Sequence, residues 1–155
     1  MRAGVRLAVD VGTVRIGVAR SDATGALAVP LEAVRAGAGS FDEVGALVRE
    51  WEAIEVIVGL PLSMSGAEGK AAAAARAWAA NLAERLEVPV RLVDERLSTV
   101  QAQRALQAGG RSTRQSRSLI DSASAVMVLQ ADLDREAAQC AAPDGRDRGG
   151  GGVTA

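Results

Sequence analysis

Two short apolar runs open the chain, Arg6 to Asp10 (RLAVD) and Ile16 to Arg20 (IGVAR), with Val11-Gly12-Thr13-Val14 between them. Runs of this length around a glycine-containing break predict two strands joined by a tight turn. Ala26 to Leu31 (ALAVPL) is a third strand-like run, in which Pro30 has no N–H to give a ladder and so marks a strand end or a sheet edge. The period then changes. Phe41, Val44, Leu47, Val48 and Trp51 recur at helical spacing behind Ser40, a good N-cap residue, which predicts a helix from Ser40 through Glu50 with that face on the sheet. Ile54 to Leu60 (IEVIVGL) is rich in β-branched residues and reads as a strand covered on both faces.

Farther along, Ser65 and Glu68 have the spacing of a capping box ahead of an alanine-rich segment, Gly69 to Leu86, which predicts a second helix. Val88 to Val93 (VPVRLV) predicts another strand. Ser98 with Gln101 would cap a helix ending at Gly109-Gly110, and a last helix is expected from near Ser116 to about Glu136. Its inward stripe would be Leu119, Ala123, Val126, Met127 and Leu133. The glycine-rich end lacks apolar residues, so the expected division is one folded domain over residues 1–138 and a disordered tail over residues 139–155. Antiparallel strands followed by βαβ units and a terminal helix define an α/β domain, a mixed sheet with helices on both faces.

Composition narrows the chemistry. With 48% hydrophobic and 24% charged residues among 155, the chain can bury one real core. No apolar stretch approaches the roughly 18 to 20 residues of a membrane span, and MRAGVRLAVD runs straight into a strand instead of a signal peptide, so a cytoplasmic location and no membrane partner are expected. One cysteine and no histidine exclude an internal disulfide, a cysteine-rich zinc site, a Ser-His-Asp triad and a Cys-His pair. What remains is carboxylates with hard cations, arginines, hydroxyls and the single lysine, Lys70. A net charge of −1 argues against a generically basic nucleic-acid binder. Yet five arginines and no acid lie between Arg96 and Ile120, while Glu32 to Glu55 is dominated by Asp and Glu, so one face can be positive on an acidic chain.

Three acids stand at unusual places. Asp10 closes the first strand in D-V-G-T, where Gly12 lets backbone or ligand come close. Glu95 follows the strand VRLV in D-E-R-L-S-T, and Asp121 lies among Ser118, Ser122, Ala123, Ser124 and Ala125 early in the last helix. Small neighbours would bring that helix close to the sheet and turn Asp121 toward the other two. Gathered carboxylates repel unless cations neutralise them. Two divalent ions, Mg²⁺ or Mn²⁺, held about 3.5 to 4 Å apart by Asp10, Glu95 and Asp121 would suit in-line phosphodiester hydrolysis.

LAVDVGTVRIGVARSD at 7–22, VGLPLSMSG at 58–66, VDERLSTVQA at 93–102 and IDSASAVMVLQADLD at 120–134 together resemble the YqgF family, also called RuvX. Its members are described as Holliday junction resolvases or pre-16S rRNA nucleases. The resemblance covers about residues 5–135 and implies a ribonuclease H-like fold, a cytoplasmic bacterial location, and a metal-bound acidic site at Asp10, Glu95 and Asp121. It also implies substrate-facing roles for Arg15 and Arg96, and for the linker arginines Arg111, Arg114 and Arg117, as phosphate contacts. The Gly59-Leu60-Pro61 turn and the Ser63 to Gly69 loop would shape the site, with Lys70 reaching phosphate. The linker RSTRQSRS is less basic than in many family members, which bears on the strength of binding.

Two other readings compete. D-V-G-T also opens the phosphate-binding strand pair of the actin, hexokinase and acetate-kinase group, but those enzymes close two lobes around a nucleotide and this chain has length for one. A non-catalytic nucleic-acid module is the other rival, although such domains tend to lose the acids retained here. With only Phe41, Trp51 and Trp78 as aromatics, there is little platform for stacking unpaired bases, so recognition should rest on backbone and shape. The expected partner is structured nucleic acid, either precursor rRNA or branched DNA; symmetrical junction cutting would need a homodimer.

Overall fold

The structure, a computed structural model, describes residues 3–97 and 121–141. Five strands form one sheet: β1 (Arg6–Val11), β2 (Arg15–Ser21), β3 (Ala28–Arg35), β4 (Glu55–Leu60) and β5 (Val90–Asp94), in the order β3-β2-β1-β4-β5. β1, β2 and β3 make an antiparallel meander, and β4 and β5 add parallel to β1. Three described helices cover it: α1 (Ser40–Trp51), α2 (Lys70–Ala83) and α3 (Ala123–Ala141). None of the described helices is long and apolar enough to cross a membrane.

Strand alternation splits the core into two clusters. Leu7, Val9, Ile16, Val18, Val56 and Val58 project to the side of α1 and α2, where Val44, Val48, Trp78 and Leu82 meet them. Ala8, Ala19, Ile57 and Val93 project to the other side and pack on Ala125, Val126, Val128, Leu129 and Leu133 of α3. Small residues, Ala8 and Ala19, thus lie with Ile57 and Val93 under the single helix α3, whereas the other face is lined by larger side chains under two helices. β4 is buried along its whole length, as its run of β-branched residues requires.

Several local expectations are corrected. Ser40 is the first residue of α1 and not its cap; Gly39 holds that position without a side-chain bond. The Ser40 hydroxyl instead donates to the Gly37 carbonyl (2.7 Å) and accepts from Trp78 Nε1 (3.0 Å), tying α1 to α2. The Ser65–Glu68 capping box does not form, because α2 begins only at Lys70 behind Gly69 and Glu68 is drawn to Arg76 Nε (2.8 Å). β3 does not stop at Leu31: Pro30 sits inside it, tolerated because β3 is the sheet edge. α3 runs past Glu136 to Ala141, so Gln139 and Cys140 are helical and not part of a tail. Glu136 is itself anchored, accepting from the buried Arg6 at 2.7 Å. The helix expected from Ser98 and the tail beyond Ala141 lie outside the described residues.

Leu129 is fully buried where α3 meets the sheet. Leu129→Ala is expected to cost about 3 kcal/mol in urea unfolding, the usual loss for a buried leucine. A loss below about 1 kcal/mol would mean that α3 does not pack there.

Candidate active site

Parity along the strands decides what faces α3. Arg6, Ala8 and Asp10 share one face of β1, and the register places Asp10 beside Gly17, Ala8 beside Ala19 and Ile57, and Arg6 beside Glu55. On β5, Arg91 pairs with Ile57 and Val93 with Gly59, so Glu95 would follow on the same face. The face is therefore apolar in the middle and charged at both ends. At one end Arg91 bonds Glu55 (3.0 Å) and Asp132 (2.9 Å), so positive charge is matched within the fold. At the other end stand Asp10 and Glu95.

Glu95 opens a single 3-10 turn (Glu95–Leu97) directly after β5. Its carboxylate lies against Gly59 of β4, where an added Cβ would come within 2.6 Å of Oε2. Glycine at this point lets the carboxylate lie on the strand; a side chain there would displace it. Oε2 is buried and has no hydrogen-bond partner among the described residues. Burial pushes the Glu95 carboxyl up to about 8, helped by its hydrogen bond with Asp10 and by the charges of Asp10 and Asp94. Asp10 and Glu95 are thus brought into hydrogen-bonding contact.

Asp121 is seated over the neighbouring strand. Its carbonyl and the Cα of Ser122 press on Gly17, where an added Cβ would meet that Cα at 2.9 Å. Gly17 is the cross-strand partner of Asp10, so the third acid stands one strand away from the first. Its carboxylate faces Arg15 Nη1 at 3.6 Å. Among the described residues no three acidic side chains gather closely enough to hold one ion together. The expected single cluster of Asp10, Glu95 and Asp121 is therefore corrected to a close pair and a flanking acid. Like charges repel at short range, and Arg15 offers Asp121 a counter-charge beside the pair.

The other predicted contacts divide. Arg15 is on the rim, with its side chain 58% exposed. Arg96 is also exposed but already engaged: Nη2 lies 2.7 Å from Asp94 Oδ2, Nε 3.1 Å from both Asp94 oxygens, and Nη1 donates to the Met64 carbonyl at 3.3 Å. The Arg96 guanidinium holds the Asp94 carboxyl below the usual range. This pair binds the turn after β5 to the loop between β4 and α2, so that loop does border the site. Lys70 is exposed at the first turn of α2. Arg111, Arg114 and Arg117 lie outside the described residues. All three aromatics pack internally: Phe41 stacks on Trp78 at 5.3 Å, and Arg20 sits over Trp51.

Gly17, Asp94 and Ser122 escaped sequence reasoning as site residues, whereas Gly59 was expected to shape the site and does so by receiving the Glu95 carboxylate. Counting by twos from the core positions would have placed Gly17 and Gly59 on the face of Asp10; nothing comparable marks Asp94 or Ser122.

The family described as RuvX, Holliday junction resolvase, matches residues 4–135. A Thermobifida fusca protein named "Putative pre-16S rRNA nuclease" is 58% identical over 144 residues, 88% of this chain and 91% of its own. A Nocardioides protein of the same name is 50% identical over 149 residues, 92% of this chain and 96% of its own. Among solved structures, T. thermophilus RuvC in complex with a Holliday junction substrate superposes with a TM-score of 0.54 at 16% identity, over 86% of this chain and 96% of that one. At that identity the likeness is one of fold, and it is the ribonuclease H-like fold expected.

The raised Glu95 carboxyl makes stability depend on pH. The folded chain holds this proton more tightly than the unfolded one, so the favourable contribution is complete below pH 4.5, is lost as pH rises toward about 8, and is level above. Glu95→Gln is therefore expected to gain melting temperature relative to the metal-free parent as pH rises through that window. A difference between the two that stays constant from pH 5 to 8 would show that Glu95 titrates normally.

Proposed function

The chain belongs to the RuvX family of Holliday junction resolvases, and on that footing we propose that it is a divalent-cation-dependent endonuclease acting in the cytoplasm on structured nucleic acid. The observation that carries this reading is the Glu95 carboxylate laid on Gly59 beside Asp10, with a buried oxygen that has no hydrogen-bond partner among the described residues. An all-oxygen donor set with an orphaned buried oxygen fits a hard cation such as Mg²⁺ or Mn²⁺. Asp10 and Glu95 would hold it, with Asp121 as the flanking ligand of a two-ion site. Bound cations supply an activated water and neutralise the leaving oxygen of a phosphodiester.

The remaining residues bind and orient. Arg15, exposed on the rim, reaches a backbone phosphate lying across the acids. Arg96, aligned by Asp94 and the Met64 carbonyl, presents charge on the opposite border. The linker arginines Arg111, Arg114 and Arg117 and the α2 residue Lys70 extend this phosphate contact. Because no aromatic is available to stack on a base, sequence preference is weak and affinity is carried by charge.

Precursor rRNA is the substrate favoured by the names of relatives about half identical to this chain; the family description favours a four-way DNA junction. A junction cutter needs two sites related by two-fold symmetry, which would make the active species a homodimer.

A side-by-side assay decides. With Mg²⁺ or Mn²⁺ the protein is expected to cut a precursor 16S rRNA fragment in preference to a four-way junction, and EDTA or Asp10→Asn each to reduce cleavage at least about 1,000-fold. Cutting that survives both would refute the metal reading, and symmetrical junction cleavage with rRNA left intact would reverse the substrate order. Arg15→Ala should weaken substrate binding at every sequence and lower the slope of log affinity against log salt by about 1. An unchanged slope would remove Arg15 from the phosphate contacts.

A further inference from the structure

The ladder between β2 and β3 is broken at one place. Ile16 pairs with Val34 and Val18 with Leu31, so Gly17 alone faces both Glu32 and Ala33, a β-bulge on the edge strand. Ser122 fills the break. The Val18 N–H donates to Ser122 Oγ (3.0 Å), and the same hydroxyl donates to the Leu31 carbonyl (2.7 Å). These are the groups of a paired position, Val18 and Leu31, so the serine hydroxyl is spliced into the sheet as a one-atom bridge. Ser122 is fully buried, and its own carbonyl accepts the Val126 N–H (3.0 Å) in the first turn of α3.

The preceding peptide is gripped from below as well. The Asp121 carbonyl and Ser122 Cα rest on Gly17, which has no side chain to hold them off. The backbone that carries Asp121 is therefore tied to β2 and β3 by the hydroxyl, to α3 by the carbonyl, and to the face of Asp10 by contact with Gly17. From that seat its carboxylate faces Arg15 Nη1 at 3.6 Å.

We infer that Ser122 is a positioning residue for the metal site: its hydroxyl, inserted in the β2–β3 bulge, sets the depth at which Asp121 stands beside Asp10 and Glu95. This rests on the reading of Asp121 as a cation ligand. Substitution of groups that orient ligands costs on the order of tenfold to a hundredfold in metal affinity, and Ser122 acts through backbone placement in the same sense. The bulge is then a device for seating a helix terminus on a sheet, with Gly17 providing the clearance and Ser122 the lock.

The test is Mn²⁺ binding to the metal-free full chain by isothermal titration calorimetry, with circular dichroism checking the fold of each variant. Asp121→Asn and Ser122→Ala are each expected to weaken Mn²⁺ binding, Ser122→Ala by on the order of tenfold or more. The double variant should bind no more weakly than Asp121→Asn alone, because both changes remove one contribution; general loosening of the fold would instead make the losses multiply. Gly17→Ala, which pushes the same peptide away from the opposite side, should weaken binding too, and it carries the test if Ser122→Ala does not fold. Wild-type affinity in a folded Ser122→Ala or Gly17→Ala protein, or multiplying losses in the double variant, overturns the role of Ser122 while leaving Asp121 as a ligand. Wild-type affinity in Asp121→Asn refutes the ligand reading itself and the inference with it.

Discussion

The close seating of α3 and its approach on the small residues of one sheet face is the constraint from which the rest follows. Ala8, Gly17, Ala19 and Gly59 leave room for backbone where Leu7, Val9, Ile16 and Val18 on the reverse side would not. Interiors are packed to crystal-like density, so this clearance must be filled, and here it is filled by the start of α3 on Gly17 and by the carboxylate of Glu95 on Gly59. An acid in such a position keeps a fixed place but loses solvent, which is why the Glu95 carboxyl rises so far. Packing and electrostatics here are one arrangement viewed at two scales.

The fold was largely legible because its signals are local and periodic. β1, β2, β4 and α1 each carry a run whose period matches their environment, and the tight turn at Gly12 follows from composition alone. Errors arose where a local rule lost to a tertiary partner. Ser40 looks like a cap but is taken by Trp78; Glu68 looks like half of a capping box but is taken by Arg76; α3 outruns its apolar stripe, and Glu136 at the expected end is tied to Arg6. None of these partners is near in sequence except Arg76, so no window of residues could announce them.

At the site, chemistry was more legible than geometry. Acid identity at the end of β1, after β5 and before α3 pointed to one region, and the structure brings Asp10 and Glu95 into contact. The offset of Asp121 by one strand and its attraction to Arg15 could not be read, nor could the bulge beside them, because a register shift between β2 and β3 leaves no periodic trace. The pairing of Arg96 with Asp94 was equally hidden: two residues apart, they read as separate charges until the turn folds one onto the other.

The two ends of the α3 face also differ in where their charge balance comes from. Arg6 with Glu136, and Arg91 with Glu55 and Asp132, carry their counter-ions covalently within the chain. Among the described residues no arginine is paired with Asp10 or Glu95, and the nearest counter-charge, Arg15, is engaged with Asp121. One helix thus rests on one foot whose charges are paired within the fold and on another whose charge depends on the solution, so pH and ionic strength act chiefly on a single end of the interface.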